Sequence, residues 1–259
     1  MLHYTQTNTD ADPPHLVLVH GAGGCIQNWP SQWTNTGFFA KSRGQRRWLT
    51  DFSVTVMDLP GHGRSGGEAE TSIEGNAQAV IDLVETLGLK KVVVAGHSMG
   101  GAIAQTIGLS NPEWLSGLIL IGTGAKMPVS DMILDGLISD FEKTVAMITK
   151  FSWRKQASTN FTKTAVQHMT DAGSAVTHTD FMACNSFDVR ERLGEISVPT
   201  LVLGGPEDKM MPLKMSEFLA ENIPNATLKE IPNSGHFLMV EQTGAVSKEV
   251  VAFLNGLSD

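Results

Sequence analysis

The chain has 259 residues, 41% of them hydrophobic and 18% charged, with a formal net charge of −8. That is enough apolar material for one large domain, or a domain with an insertion, and it excludes a disordered chain. The acidic balance argues against nucleic acid or an anionic membrane as a partner, and no stretch approaches the length that spans a bilayer.

In chain order, the opening MLHYTQTNTDADPP has neither a charged start nor an apolar run, so it does not read as a signal peptide. Two cysteines, Cys25 and Cys184, fit no zinc spacing and form no disulfide framework. They are expected as free thiols in a reducing, cytoplasmic setting. The first β-branched run, HLVLVH, ends at His20 and runs into GAGG. A helix is expected from near Trp29, with Gly37 as its stop, followed by a basic stretch within residues 34–51 that carries Lys41, Arg43, Arg46 and Arg47. FSVTVMD ends at Asp58 and leads into LPGHGRS. In SIEGNAQAVIDLVETLG, Ile73, Ala77, Val80, Ile81, Val84 and Leu87 share one helical face, and Gly88 stops the helix. KVVVAGHS ends at Ser98, and GGAIAQTIGLS continues as a helix that must end before Pro112. LSGLILIGTG ends near Gly124. Later, PTLVLGGPED ends at Asp208, LKMSEFLAEN is helical, ATLKEIPNSGH ends at His236, and TGAVSKEVVAFLNG is a last helix.

Each strand candidate is short, continuously apolar and followed by turn residues, as strands buried on both faces are. Their alternation with helices predicts an α/β fold, a mostly parallel central sheet with helices on both faces. The alternation fails between Met127 and Asp188, where only helical patterns occur. This predicts a helical cap at 126–188 inserted into a core made of residues 1–125 and 189–259. An insertion there would lie over the carboxyl ends of the strands, where open α/β sheets bind ligands.

Ser98 stands in GHSMGG, between a strand and a helix. A nucleophile on such a tight elbow needs small residues two before and two after it, which Gly96 and Gly100 supply. A serine hydroxyl needs a base to take its proton, and the base needs a carboxylate to orient it. His236 and Asp208, each directly after a late strand, come in the order Ser, Asp, His that this topology uses. Glu207 is the less favoured acid. Thr123 occupies the place where a rival acid could stand. Catalysis needs His236 in its neutral form. The oxyanion is assigned to the backbone N–H groups of Ala22, in HGAGG, and of Met99, the residue after the nucleophile.

Taken together, HGAGG, MDLPGHGRS, GHSMGG, VPTLVLGGPEDKMMP and IPNSGHF, in that order, resemble the α/β-hydrolase family in its capped group. The resemblance covers nearly the whole chain. It implies a Ser-His-Asp hydrolase working through an acyl-enzyme, with no cofactor and no metal. It also shows two departures: the N-terminus leaves little room for the usual opening pair of strands, and the connection from Trp33 to Phe52 is long and basic. A serine at the elbow disfavours the dehalogenases and epoxide hydrolases of this fold. Hydrolases of carbon–carbon bonds in ring-cleavage products usually carry Gly-Pro-Gly in the oxyanion loop and Trp after the histidine. Here Gly23-Gly24-Cys25 and Phe237 stand instead. The expected substrate is therefore a carboxylic ester or lactone, acyl-homoserine lactones included, acted on by a monomer or homodimer. A carbon–carbon hydrolase, or a small-molecule receptor on a hydrolase fold, are the alternatives.

The other polar residues receive structural readings. His97 packs beside the strand end, His62 orders its loop, Asp58 bonds that loop, and His20 supports the oxyanion loop through its ring nitrogens. His168 and His178 are read as surface residues and Cys25 as packing. Met127, Met132, Phe141, Met147 and Phe151 form helical core or line a pocket. The basic stretch is placed at the sheet edge remote from Ser98.

Overall fold

Seven short strands, the five inner ones rich in Val, Leu and Ile, pair into one sheet in the computed structural model, which describes residues 1–34, 36 and 46–257. The strands are β1 (Tyr4–Thr7), β2 (His15–Val19), β3 (Val54–Met57), β4 (Val92–His97), β5 (Leu115–Ile121), β6 (Thr200–Gly204) and β7 (Ala226–Glu230). Their order is β1-β3-β2-β4-β5-β6-β7. Only β1 is antiparallel, pairing Tyr4 with Met57 and Thr7 with Val54. One strand thus precedes β2 where the family resemblance implied a pair.

Side-chain alternation explains the layers. Val17, Val19, Val94, Leu118, Leu120 and Val202 face one way and pack with α1 (Ile73–Thr86), α2 (Met99–Ser110) and α7 (Leu213–Asn222). Leu16, Leu18, Val93, Ala95, Ile119, Ile121 and Leu203 face the other way, against α8 (Leu238–Glu241), α9 (Thr243–Asn255) and the indoles of Trp29 and Trp33. Both faces of the five inner strands are covered, so these carry continuous apolar runs instead of alternating ones. The face predicted for α1 is the buried one, and the Ser72 hydroxyl caps that helix by accepting the Gly75 N–H at 3.0 Å, worth about 1 kcal/mol.

Over the described residues 29–34 the helix expected from Trp29 does not form. A 3₁₀ turn, Ile26–Asn28, is closed by Asn28 Oδ1, which accepts the Cys25 N–H at 2.9 Å. The chain then turns back through Trp33 N–H to Pro30 O. Burying two indoles decides this: Trp29 and Trp33 stack with centroids 5.8 Å apart, and the Trp33 indole N–H donates to Ser247 on α9 at 2.6 Å. Gly37, Lys41 and Arg43 lie outside the described residues. Arg46 lies over the Trp48 ring, 4.1 Å from its centroid.

Between β5 and β6 the chain makes four helices: α3 (Asp131–Ser139), α4 (Phe141–Phe151), α5 (Thr159–Ala172) and α6 (Ser174–Ser186). A bridge between Lys126 and Asp188, with Val189 N–H donating to Ala125 O at 2.8 Å, joins the two ends of this excursion. It has a small core of its own in Leu134, Leu137, Val145, Ile148 and Phe181. Of the residues expected in a core or pocket, Met147, half-buried on α4, joins neither, and two more lie outside both: Met132 is 66% exposed and Phe151 46%. They occupy the outer sides of α3 and α4, whose inner sides are already filled by Leu134, Leu137 and Ile148.

Topology brings the motifs together. From β2 the chain steps to β3 on one side, then returns to β4 on the other. The order therefore reverses between β2 and β4, the crevice position of open α/β sheets. Val19, Gly96, Leu120 and Val202 lie in register across four strands, so the segments after them leave the sheet at one edge.

Candidate active site

The turn from β4 into α2 is as tight as its sequence suggests. Ser98 sits at φ +55°, ψ −117°, a conformation costing a non-glycine residue about 1–3 kcal/mol. A Cβ on Gly96 would lie 1.9 Å from Gly100 O, and one on Gly100 would lie 2.1 Å from Val19 O. Backbone cannot yield at such distances, so only glycine fits at either position. Thr123 fastens the turn by donating its hydroxyl proton to Ser98 O at 2.8 Å. Met99 opens α2, where helix geometry leaves its N–H without an intrahelical acceptor.

His236 and Asp208 leave the same edge after β7 and β6. Their side chains meet, with His236 Nδ1 2.8 Å from Asp208 Oδ2. Asp208 Oδ1 accepts the N–H groups of Met210 and Met211, each at 2.8 Å. The carboxylate is thus held by its own turn, and it is Asp208, not Glu207, that reaches the imidazole. The backbone of His236 is gripped on both sides: its N–H donates to Ser152 O at 2.9 Å, and its carbonyl accepts His97 Nε2–H at 3.0 Å. Burial, helped by the neighbouring His236, keeps His97 neutral, which suits its packing role.

The HGAGG loop closes the third side. A Cβ on Gly21 would lie 3.1 Å from Ser98 Cβ, so the loop runs against the elbow. Gly21 O accepts His20 Nδ1–H at 2.9 Å and Gly24 N–H at 3.0 Å. A trans peptide carries its N–H opposite its carbonyl, so the Ala22 N–H faces away from both donors. His20 Nε2 accepts the Leu59 N–H at 3.1 Å. Burial first, then the His62 charge, push its pKa down to about 3, so His20 supports the loop as a neutral ring. Asp58 accepts the N–H groups of Ile26 and Arg64 at 2.7 and 2.9 Å, tying the two loops together. The Cys25 thiol is pushed up to about 11, chiefly by burial, and behaves as packing. Both cysteines are free. His168 and His178 are half-buried on α5 and α6, not on the open surface.

Ser98, His236, Gly21 and Ala22 line one cavity of about 300 Å³. The rest of its wall is mainly apolar: Met127, Val129, Ile133, Ile148, Met169, Phe181, Met210 and Met211. Lys209, an exposed residue, also lines it. Neither Arg46 nor Arg47 does. The order of elements, the elbow and the His–Asp pair decide the family, and the match is direct: residues 16–249 correspond to the alpha/beta hydrolase family.

The chain belongs to the alpha/beta hydrolase family.

Within that family it is similar to proteins of different chemistries. A 2-hydroxy-6-oxononadienedioate/2-hydroxy-6-oxononatrienedioate hydrolase of Burkholderia vietnamiensis is 28% identical, over 98% of this chain and 90% of that one. A solved thermophilic esterase is 31% identical, with a TM-score of 0.81 and 99% of each chain covered. The enol-lactonase of Burkholderia xenovorans LB400 shares the fold with a TM-score of 0.84 at 22% identity, covering 98% of this chain and 96% of that one. No helix among the described residues is long and apolar enough to cross a membrane.

Two buried acids near the site escaped the sequence reading. Glu241 accepts the N–H groups of Arg154, at 3.0 Å, and Gly235, beside His236; burial raises its pKa. Asp180, on α6, is fully buried and touches both His62 and Gly23. One signal pointed to it. Thr177, Asp180, Phe181 and Cys184 follow helical spacing on one buried face, and a carboxylate on such a stripe must have a partner.

Proposed function

We propose that the chain is a serine hydrolase of carboxylic esters or lactones, with Ser98 as nucleophile, His236 as base and Asp208 as the orienting acid. The observation that carries this is the 2.8 Å Asp208–His236 pair opening on the same apolar cavity as a serine on a strained elbow. Asp208 fixes the proton of His236 on Nδ1, leaving Nε2 free to accept the Ser98 proton. Ser98 Oγ attacks the substrate carbonyl, and the oxyanion is received by the N–H groups of Ala22 and Met99. The tetrahedral adduct collapses to the acyl-enzyme as the leaving alkoxide takes the proton from His236. Water, deprotonated by the same histidine, then releases the acid and restores Ser98. The helices of 126–188 serve as a cap whose inner apolar side chains select the acyl or aryl group. About 300 Å³ suits a group of modest size.

The 31% identical esterase supports ester cleavage. Carbon–carbon cleavage is the second reading, favoured by the relative from Burkholderia vietnamiensis. The residues after Ala22, Gly23-Gly24-Cys25, and Phe237 after the histidine weigh against it. A panel of p-nitrophenyl esters of rising chain length, with lactones including acyl-homoserine lactones and a ring-cleavage dienoate, tests the choice. Steady turnover of esters or lactones well above that of the dienoate is expected. A dienoate preference sinks the ester reading, and a single burst followed by silence favours a receptor.

A further inference from the structure

Resting on that reading, we propose that Asp180, on α6 of the inserted helices, is a positioning residue for the oxyanion loop, with His62 as its counter-charge. Ala22 lies between two peptide planes. The plane before it is held from the core by His20 Nδ1–H on Gly21 O. The plane after it is held from the insertion: Gly23 N–H donates to Asp180 Oδ2 at 2.7 Å. Gly23 has φ +60°, so this plane lies in a backbone conformation that is open to glycine and rigid only if something fixes it. A hydrogen bond from a backbone N–H to an ionised carboxylate belongs to the stronger class.

The carboxylate needs its own support. Its side chain is wholly buried, and Oδ1 has no hydrogen-bond partner among the described residues. The compensation comes from His62, whose Nε2–H donates to Asp180 Oδ2 at 2.8 Å and whose Nδ1–H donates to Pro60 O at 2.9 Å. Each ring nitrogen faces an acceptor, so the ring carries both protons and a positive charge. Burial alone would lower the pKa of His62, but the Asp180 carboxylate and Pro60 carbonyl outweigh it and the net direction is upward. The GHG loop and the GAGG loop therefore meet on one acid that comes from neither. Stapling the insertion to the core would account for the ion pair, but it does not call for the bond to Gly23. Through that bond a carboxylate of the insertion sets the peptide beside the proposed oxyanion donor.

The test compares Asp180→Ala, which removes the acceptor that an asparagine would keep because both bonds fall on Oδ2, with wild type on the best p-nitrophenyl ester, using two inhibitors of that shape. One is a trifluoromethyl ketone, which Ser98 converts to an oxyanion adduct; the other is the corresponding alcohol, which forms none. Titrating Ser98 with a phosphonate counts folded sites, so kcat is per competent site. The expected result is a fall in kcat of about 10- to 100-fold, with KM changed by less than about threefold. Ketone affinity should weaken in proportion to kcat/KM while alcohol affinity stays as in wild type. Unchanged kcat/KM and ketone affinity would overturn the proposal, and so would equal weakening of ketone and alcohol, which marks a packing role. Should Asp180→Ala not fold, His62→Gln carries the test. It keeps a donor towards Asp180 but removes the charge, and the same pattern is expected in smaller measure, with the same overturning results. A wild type that cleaves no ester and takes no phosphonate at Ser98 defeats the hydrolase reading itself, before any variant is compared.

Discussion

Replacing Asp208 by Asn probes how tightly the histidine's tautomer is controlled. Asp208 Oδ1 accepts two backbone N–H groups, from Met210 and Met211, while Oδ2 faces His236 Nδ1. An asparagine must keep its oxygen on the two N–H groups, because turning its NH₂ towards them would set donor against donor. Its NH₂ then faces Nδ1, which must give up its proton and accept instead. The proton moves to Nε2, the nitrogen that has to be empty to receive the Ser98 proton. Stability should fall only by the value of one charge-assisted bond, about 1.5–3 kcal/mol. Turnover should fall by about 10⁴-fold, the scale on which a wrong tautomer disables such a triad, equivalent to about 5.5 kcal/mol of barrier. Steady-state hydrolysis of p-nitrophenyl acetate, beside a thermal melt, reads both numbers. A folded variant keeping activity within tenfold of wild type would refute the reasoning. So would Glu207→Gln proving the more damaging change.

Ser98→Gly should abolish turnover yet raise stability by about 1 kcal/mol, because glycine carries no penalty at φ +55°; a melt below that of wild type would contradict the strain. Ile133→Ala, which enlarges the cavity from α3, should shift preference towards longer acyl chains while acetate turnover holds within about threefold; equal losses on every ester would assign Ile133 to folding. Stability should be bell-shaped in pH. His20 and His97 are lowered, so on acidification the unfolded chain takes up protons that the fold refuses, and stability is lost as pH falls below the ordinary histidine value. His62 is raised, with Asp180 and Asp58 attracting its proton and His20 5.0 Å away between ring centroids. Its contribution is complete below the ordinary histidine value and is lost as pH rises through its folded value. Urea midpoints should therefore drop more steeply in wild type than in His62→Gln as pH rises above the ordinary histidine value, and parallel slopes would speak against a charged His62.

What could be read in the sequence was what local chemistry determines. The five inner strands announce themselves as short apolar runs, whereas the polar edge strand Tyr4–Thr7 does not, and Gly96 and Gly100 flank a serine because nothing larger fits there. The meeting of Asp208 with His236 could be anticipated because each follows a strand and all these strands end at one edge. The turn at Trp29 could not, since the burial of two indoles and the bond from Trp33 to Ser247, 214 residues away, are tertiary demands. His62 and Asp180 are 118 residues apart, and only the polar residue on the buried stripe of α6 hinted that it had a partner. The outward placement of Met132 and Phe151 was equally hidden, because periodicity finds the buried face only where the apolar residues keep to one side.

The attachments of the insertion limit how it can be exchanged. Its residues reach the HGAGG loop at Gly23, the residue after Ala22, through Asp180, and the loop of His236 through the Ser152 carbonyl and the shared grip of Glu241 on Arg154 and Gly235. A chimera that swaps 126–188 for the corresponding segment of a relative would cut all of these at once. On the proposed mechanism it would come out with an altered pocket and a disturbed His236 and Gly23 together. Specificity can be redesigned here only by changing inward-facing apolar residues such as Ile133 on a retained backbone, with Asp180, Ser152 and Arg154 left in place.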